Sequence, residues 1–245
     1  MSATPLDPAV LARQDMHVHS RFSDGADTIE DNVAQAERIG LLELTCVDHV
    51  REVTDWVPDY AAAVARAGAQ TQLALRCGIE AKLLDTSGAL DVPPGDMAGV
   101  DWIFAADHQV PLANGPANPR DVRERLADGS LARADVLESI VTATAQALAR
   151  RPGVVVIAHL FSVLPKIGLA EADVPPQLID ALAAAAAVAG ARIEVSERWR
   201  CPCAATLRPF LARGVPLLLS TDSHRRETIG RYDYALAVLR ELAGA

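Results

Sequence analysis

Short apolar runs alternate along the chain with longer stretches whose apolar positions recur every three or four residues. That alternation predicts repeated strand–helix units and a parallel sheet. Seven runs read as strands: one ending at His19, then 41–47, 73–79, 102–106, 154–158, 192–195 and 216–220. Helical periodicity covers 29–39, 59–70, 121–127, 134–150, 176–188, 204–213 and 232–242. Thr28 and Asp31 read as a capped start, with Ile29, Val33, Ala36 and Ile39 on one face and Gly40 ending the helix. The Gly, Pro and Asp of 83–96 predict a loop or small hairpin. The Pro- and Asn-rich stretch 111–119 reads as a substrate-facing loop, with Asn114 and Asn118 as its polar groups. No repeat, linker or break in composition divides the 245 residues, so one domain over 1–245 is expected.

Composition adds a few bounds. Half of the residues are apolar and only 4% are aromatic, which predicts an aliphatic core. The formal net charge of −9 disfavours a nucleic-acid surface, which needs a basic stripe. No run is long enough to span a membrane, and the N-terminus lacks the basic and apolar regions of a signal peptide. A cytoplasmic location is the expectation. Cys46 and Cys77 sit in strand-like runs as buried thiols, and Cys201-Pro202-Cys203 is too little to define a metal or redox pair.

The chemistry lies where strands end. All six histidines, His17, His19, His49, His108, His159 and His224, fall at or beside the carboxyl end of a predicted strand. Active groups gather at that rim in parallel α/β folds. Asp24, Glu80 and Asp222 occupy equivalent places. Strand side chains alternate, so His17 and His19 share a face, and Asp222 and His224 repeat the spacing. Imidazole with carboxylate suits Zn, Fe or Mn, and nine such groups exceed the needs of one tetrahedral ion. They predict a cluster of two or three divalent ions bridged by Glu80.

The ordered set His17-Val18-His19, Ser23-Asp24-Gly25, Val47-Asp48-His49, Gly78-Ile79-Glu80, Asp107-His108, Ala158-His159 and Thr221-Asp222-Ser223-His224 resembles the PHP (polymerase and histidinol phosphatase) superfamily. The resemblance spans Asp15 to about Leu239. It implies an α/β fold, a distorted seven-stranded (β/α) barrel of the TIM-like type, with a trinuclear metal site. By resemblance, His17, His19, Glu80 and Asp222 hold one ion, Glu80, His108 and His159 a second, and Asp24, His49 and His224 a third. The usual Thr-Asp-His is Val47-Asp48-His49 here, which changes no ligand.

The resemblance also implies hydrolysis of a phosphate ester, with a metal-activated water as nucleophile and Glu80, Asp222 and His224 central to catalysis. Arg51, Lys82, Arg198 and Arg225 are the cations available to grip phosphate, Arg198 foremost because a planar guanidinium suits phosphate. Glu194 and Glu197 are not expected as ligands, though either can orient Arg198 or a water. Asp48 and Asp107 are read as groups that support neighbouring ligands. The expected partner is a small phosphorylated metabolite of the histidinol phosphate kind. A 3′–5′ exonuclease or nucleotide phosphatase is the alternative, followed by a non-catalytic metal-binding module and a metal-dependent amidohydrolase. Oligomeric state is not read from the sequence.

Overall fold

The computed structural model describes residues 7–95 and 97–244. The expectations that touch 1–6, Asp96 or Ala245 lie partly outside the described residues. Strands β1 (Gln14–Val18), β2 (Glu43–His49), β3 (Ala74–Lys82) and β4 (Trp102–Ala106) are followed by a short hairpin, β5 (Val110–Leu112) and β6 (Gly115–Ala117). Strands β7 (Val155–Ile157), β8 (Arg192–Ser196) and β9 (Leu217–Ser220) complete the sheet. Seven strands pair in parallel in the order β1-β2-β3-β4-β7-β8-β9. Helices α1 (Pro8–Leu11), α2 (Ile29–Arg38), α3 (Val57–Gly68), α4 (Pro119–Ala127), α5 (Arg133–Arg150), α6 (Pro176–Ala189), α7 (Ala204–Ala212) and α8 (Tyr234–Ala243) connect them. The result is a nearly closed, distorted TIM-like (β/α) barrel.

No ladder joins β9 to β1. The seam is stitched instead by His19 N–H donating to the Ser223 carbonyl (2.8 Å) and by Asp15. Buried Asp15 accepts from the Thr221 N–H and hydroxyl and from the Gly230 N–H. Burial raises its pKa to about 6 against the pull of those donors. The interior is filled by Met16, Val47, Trp102, Phe104, Val156 and Leu218. Arg76 and Arg192 stack on the Trp102 ring, at 4.9 and 4.8 Å. The larger aliphatic layers lie between sheet and helices.

The capping box at Thr28 and Asp31 forms as expected, and Ile29, Val33 and Ala36 are buried. Ile39 caps that helix and is exposed instead of completing its apolar face. Helix α3 starts at Val57, before the expected 59, because Pro58 has no N–H to satisfy and fits a first turn. Helix α8 starts at Tyr234, where Glu197 accepts from the N–H groups of Tyr234 and Ala235. Stretch 111–119 is not an open loop but the β5–β6 hairpin. Its strands are three residues long and pair Pro111 with Pro116, so neither length nor composition announces them.

Candidate metal centre

Register brings the site together. His49 and Glu80 are neighbours across β2 and β3, so their side chains rise from the same face. His17 and His19 end β1 on that face. His108, His159 and Asp222 each lie two residues beyond the last residue of β4, β7 and β9. His159 and Asp222 have φ of 25° and 51°, a region non-glycine residues avoid, and this turns both side chains back over the barrel mouth.

Glu80 is the hub. Its Oε1 lies 2.8 Å from His159 Nε2 and 3.0 Å from His108 Nε2. Its Oε2 lies 2.9 Å from His49 Nδ1, 3.5 Å from His17 Nε2 and 3.7 Å from His19 Nε2. One carboxylate thus faces five imidazoles, divided between its two oxygens. A second carboxylate, Asp222, holds Oδ1 3.1 Å from His19 Nε2. Asp24 places Oδ2 3.3 Å from His224 Nε2 and 3.6 Å from His49 Nε2.

Donor atoms fall within 4.8 Å of one another in three groups: His17, His19 and Asp222; His49, Glu80 and His108; His19, Asp24, His49 and His224. All nine expected residues therefore converge on the mouth, but the grouping departs from the division the resemblance implies. His19 and His49 each belong to two groups. His159 belongs to none and reaches Glu80 alone among the carboxylates facing the mouth. The donor set fits divalent cations on a second observation. The buried atoms His17 Nε2, His19 Nδ1 and Nε2, Glu80 Oε2 and Asp222 Oδ1 have no hydrogen-bond partner. Buried polar atoms are normally satisfied, and here four of them face one another while His19 Nδ1 faces Asp24.

Electrostatics follow from this crowding. Burial works to raise the Glu80 carboxyl, but the His108 and His17 charges and the bonds from His108 and His159 hold it well below the usual range. Burial opposes charge on His17, yet Glu194 and Glu80 push its pKa well up. His159 is driven to about 10 in the same way, against burial, by Asp107 and Glu80. Protons on His17, His49 and His159 are thus favoured by the carboxylates they face. Cations compete for the same nitrogens, so metal affinity must fall as pH falls. His224 goes the other way: burial first, then His19 and Arg198, hold it below its ordinary value.

Supporting groups fix the ligand atoms. Glu194, buried in the apolar run of β8, faces His17 Nδ1 at 3.3 Å, accepts from the His159 N–H (3.0 Å) and binds the Ser220 hydroxyl. With Nδ1 held by Glu194, the His17 ring is fixed with Nε2 facing Glu80 and the cluster. His159 Nδ1 lies 2.9 Å from the Ser162 hydroxyl, which donates to Asp107 (2.6 Å). Asp48 points away from His49 and accepts from the N–H and hydroxyl of both Ser20 and Ser23. It thereby orders the loop that carries Asp24. That loop also needs Gly25, since a Cβ there would stand 2.6 Å from the His19 carbonyl carbon.

A cavity of about 550 Å³ opens over the cluster. Arg51, Lys82 and Arg198 line it, whereas Arg225 lies outside it in a neighbouring cavity. Lys82 is paired with Asp91 at 3.5 Å. Arg198 Nη1 donates to the Asp222 carbonyl (3.3 Å) and lies 2.6 Å from His224 Nδ1. Among the described residues neither Glu194 nor Glu197 forms a hydrogen bond or ion pair with Arg198: one is spent on His17 and the other on α8. Asn114 and Asn118 do not line the cavity either. Asn118 caps α4, and Asn114 borders a separate hollow beside α5.

Sequence reasoning missed three wall residues, Phe22, Trp56 and Trp199. Trp199 donates from Nε1 to Asp222 Oδ2 (2.6 Å), and Phe22 and Trp56 pack with ring centroids 5.5 Å apart. Aromatics on loops follow no period, so only their closeness to Asp24, His49 and Arg198 in sequence hints at them.

Fold and donor cluster define a class: a TIM-like barrel with a cluster of histidine and carboxylate groups that could hold metal ions at the carboxyl ends of its strands. A family model described as PHP domain matches residues 15–148, more than half of the chain, and the chain belongs to the PHP family. Its fold is similar to the crystal structure of the "putative histidinol phosphatase hisK" from Listeria monocytogenes. That match has a TM-score of 0.64 at 13% identity and covers 89% of this chain and 97% of the other. No curated protein matches the chain. Among the described residues no helix is long and apolar enough to cross a membrane. The cysteines are free, and Cys201 donates from Sγ to the His159 carbonyl instead of joining Cys203.

Proposed function

We propose that the protein is a metal-dependent phosphoesterase acting on a small phosphorylated metabolite. The observation that carries this reading is Glu80, a buried carboxylate facing five imidazoles divided between its two oxygens. His17, His19, Asp24, His49, Glu80, His108, His159, Asp222 and His224 are the residues that would hold two to three divalent ions, Zn, Mn or Fe. Bound there, such ions supply positive charge for a phosphoryl group and lower the pKa of a water.

The chain's own groups do the rest. Arg198, over Asp222 and His224, offers its guanidinium to a phosphate oxygen. Arg51 and Lys82 extend positive charge along the cavity, Lys82 weakened by its pairing with Asp91. Glu194, Ser162 and Asp107 keep the His17 and His159 nitrogens facing the cluster. Trp199 anchors Asp222 through its indole N–H.

A nucleotide phosphatase is the second reading, favoured by the Phe22 and Trp56 rings, on which a base can stack. The net charge of −9 speaks against long nucleic acid. The relative's name makes histidinol phosphate the first compound to try. The test is a panel of phosphomonoesters, nucleoside monophosphates and phosphodiesters, with metal content measured on the same preparation. Metal-dependent turnover of a monoester is expected. No turnover of any phosphoester by metal-loaded protein would overturn the reading in favour of a non-catalytic module.

A further inference from the structure

A second cavity, of about 470 Å³, adjoins the first and shares Arg198, Asp222 and His224 with it. Its outer wall adds Arg225, Thr228 and Arg231. The one other carboxylate lining it, Glu197, has both oxygens committed to the N–H groups of Tyr234 and Ala235. Neither Arg225 nor Arg231 has a carboxylate within ion-pairing distance among the described residues. Arg226, between them in sequence, is by contrast held by Asp27 and Asp31. Two exposed arginines, with Arg198 at the boundary of the cavities, therefore line one hollow, and among the described residues neither makes an ion pair. Neither guanidinium is taken up by a carboxylate of the protein, so both have donors to offer an anion from solvent.

We propose that Arg225 and Arg231 form a second anion-binding subsite, and that the substrate carries a second phosphate beside the one hydrolysed at the cluster. This rests on the phosphoesterase reading. Arg198 stands between the two subsites and can touch both groups, since a planar guanidinium presents donors on two edges. The cations of the rim thus divide: Arg51 and Lys82 flank one side of the metal centre, Arg225 and Arg231 the other.

Two measurements on metal-loaded wild type and on a double variant, Arg225→Ala with Arg231→Ala, test this. Metal content and melting temperature of both preparations are recorded first. Equilibrium binding of inorganic phosphate reads the subsite without turnover. Wild type should show two classes of phosphate site, and the double variant should lose one. One class of site, equally filled in both proteins, would overturn the subsite even in an active enzyme. The second measurement compares kcat/KM for matched pairs of mono- and bisphosphorylated compounds. The preference for the bisphosphate should fall about tenfold or more in the double variant, mainly through KM. An unchanged preference would contradict the substrate assignment. If no compound is turned over but the second phosphate site is lost as expected, the phosphoesterase reading fails and the anion subsite stands. If the variant melts far below wild type, Arg225→Lys with Arg231→Lys keeps the charge and should retain the second phosphate class. Its loss there would contradict a site built on positive charge.

Discussion

Glu80 and Arg198 make opposite demands on the same reaction. Glu80 sets the spacing of whatever its two oxygens touch, while Arg198 reaches in from the rim. Glu80→Gln should cost on the order of a thousandfold in kcat/KM and release metal. Arg198→Ala should cost on the order of tenfold, mostly in KM, and keep its metal. Steady-state kinetics with elemental analysis of each variant check this, and equal kcat losses with metal retained in both would remove Glu80 from its central place. Glu194→Gln probes support alone, because the His17 nitrogen it faces points away from the cluster. Metal affinity measured by competition with a chelator should drop about 10- to 100-fold. Residues of this kind were only half legible. The donor set stands out because histidine is scarce and each one ends a strand. Which donor neighbours which is not legible, because the carboxyl ends bend inward by backbone conformations, as at His159 and Asp222, that no sequence period records.

At the scale of elements, the hydrophobic pattern locates all seven sheet strands, because each is a short apolar run between helices several turns long. It fails where proline occupies a strand. The β5–β6 hairpin stands beside α5 and turns Asn114 away from the metal centre. On the proposed reading, substrate discrimination would fall to the loop after β2, which carries Trp56 against Phe22. Trp56→Ala should raise KM severalfold and reorder a phosphoester panel, whereas Asn114→Ala should leave the order as it is. A panel reordered by Asn114→Ala and indifferent to Trp56→Ala would return specificity to the hairpin. The Asp24 loop shows how strongly one element depends on another. Asp48 on β2 accepts four bonds from Ser20 and Ser23, and Gly25 lets the chain close over His19.

For the whole molecule, a barrel closed by a ladder on six sides and by Asp15 on the seventh concentrates ligands from both chain ends at one mouth. His17 and Asp222, 205 positions apart, flank that seam. On the proposed reading an acidic protein would still bind phosphate there, because local charge from bound ions and from Arg198 would outweigh a net charge of −9. The central claim is that hydrolysis needs more than one ion in this cluster. The direct measurement strips the protein with a chelator and returns Zn, Mn or Fe stepwise, while bound metal per chain and phosphomonoester hydrolysis are followed together. Activity should be absent after stripping and should rise only as the second equivalent per chain is filled. Full activity at a single equivalent, or in the stripped protein, would contradict it.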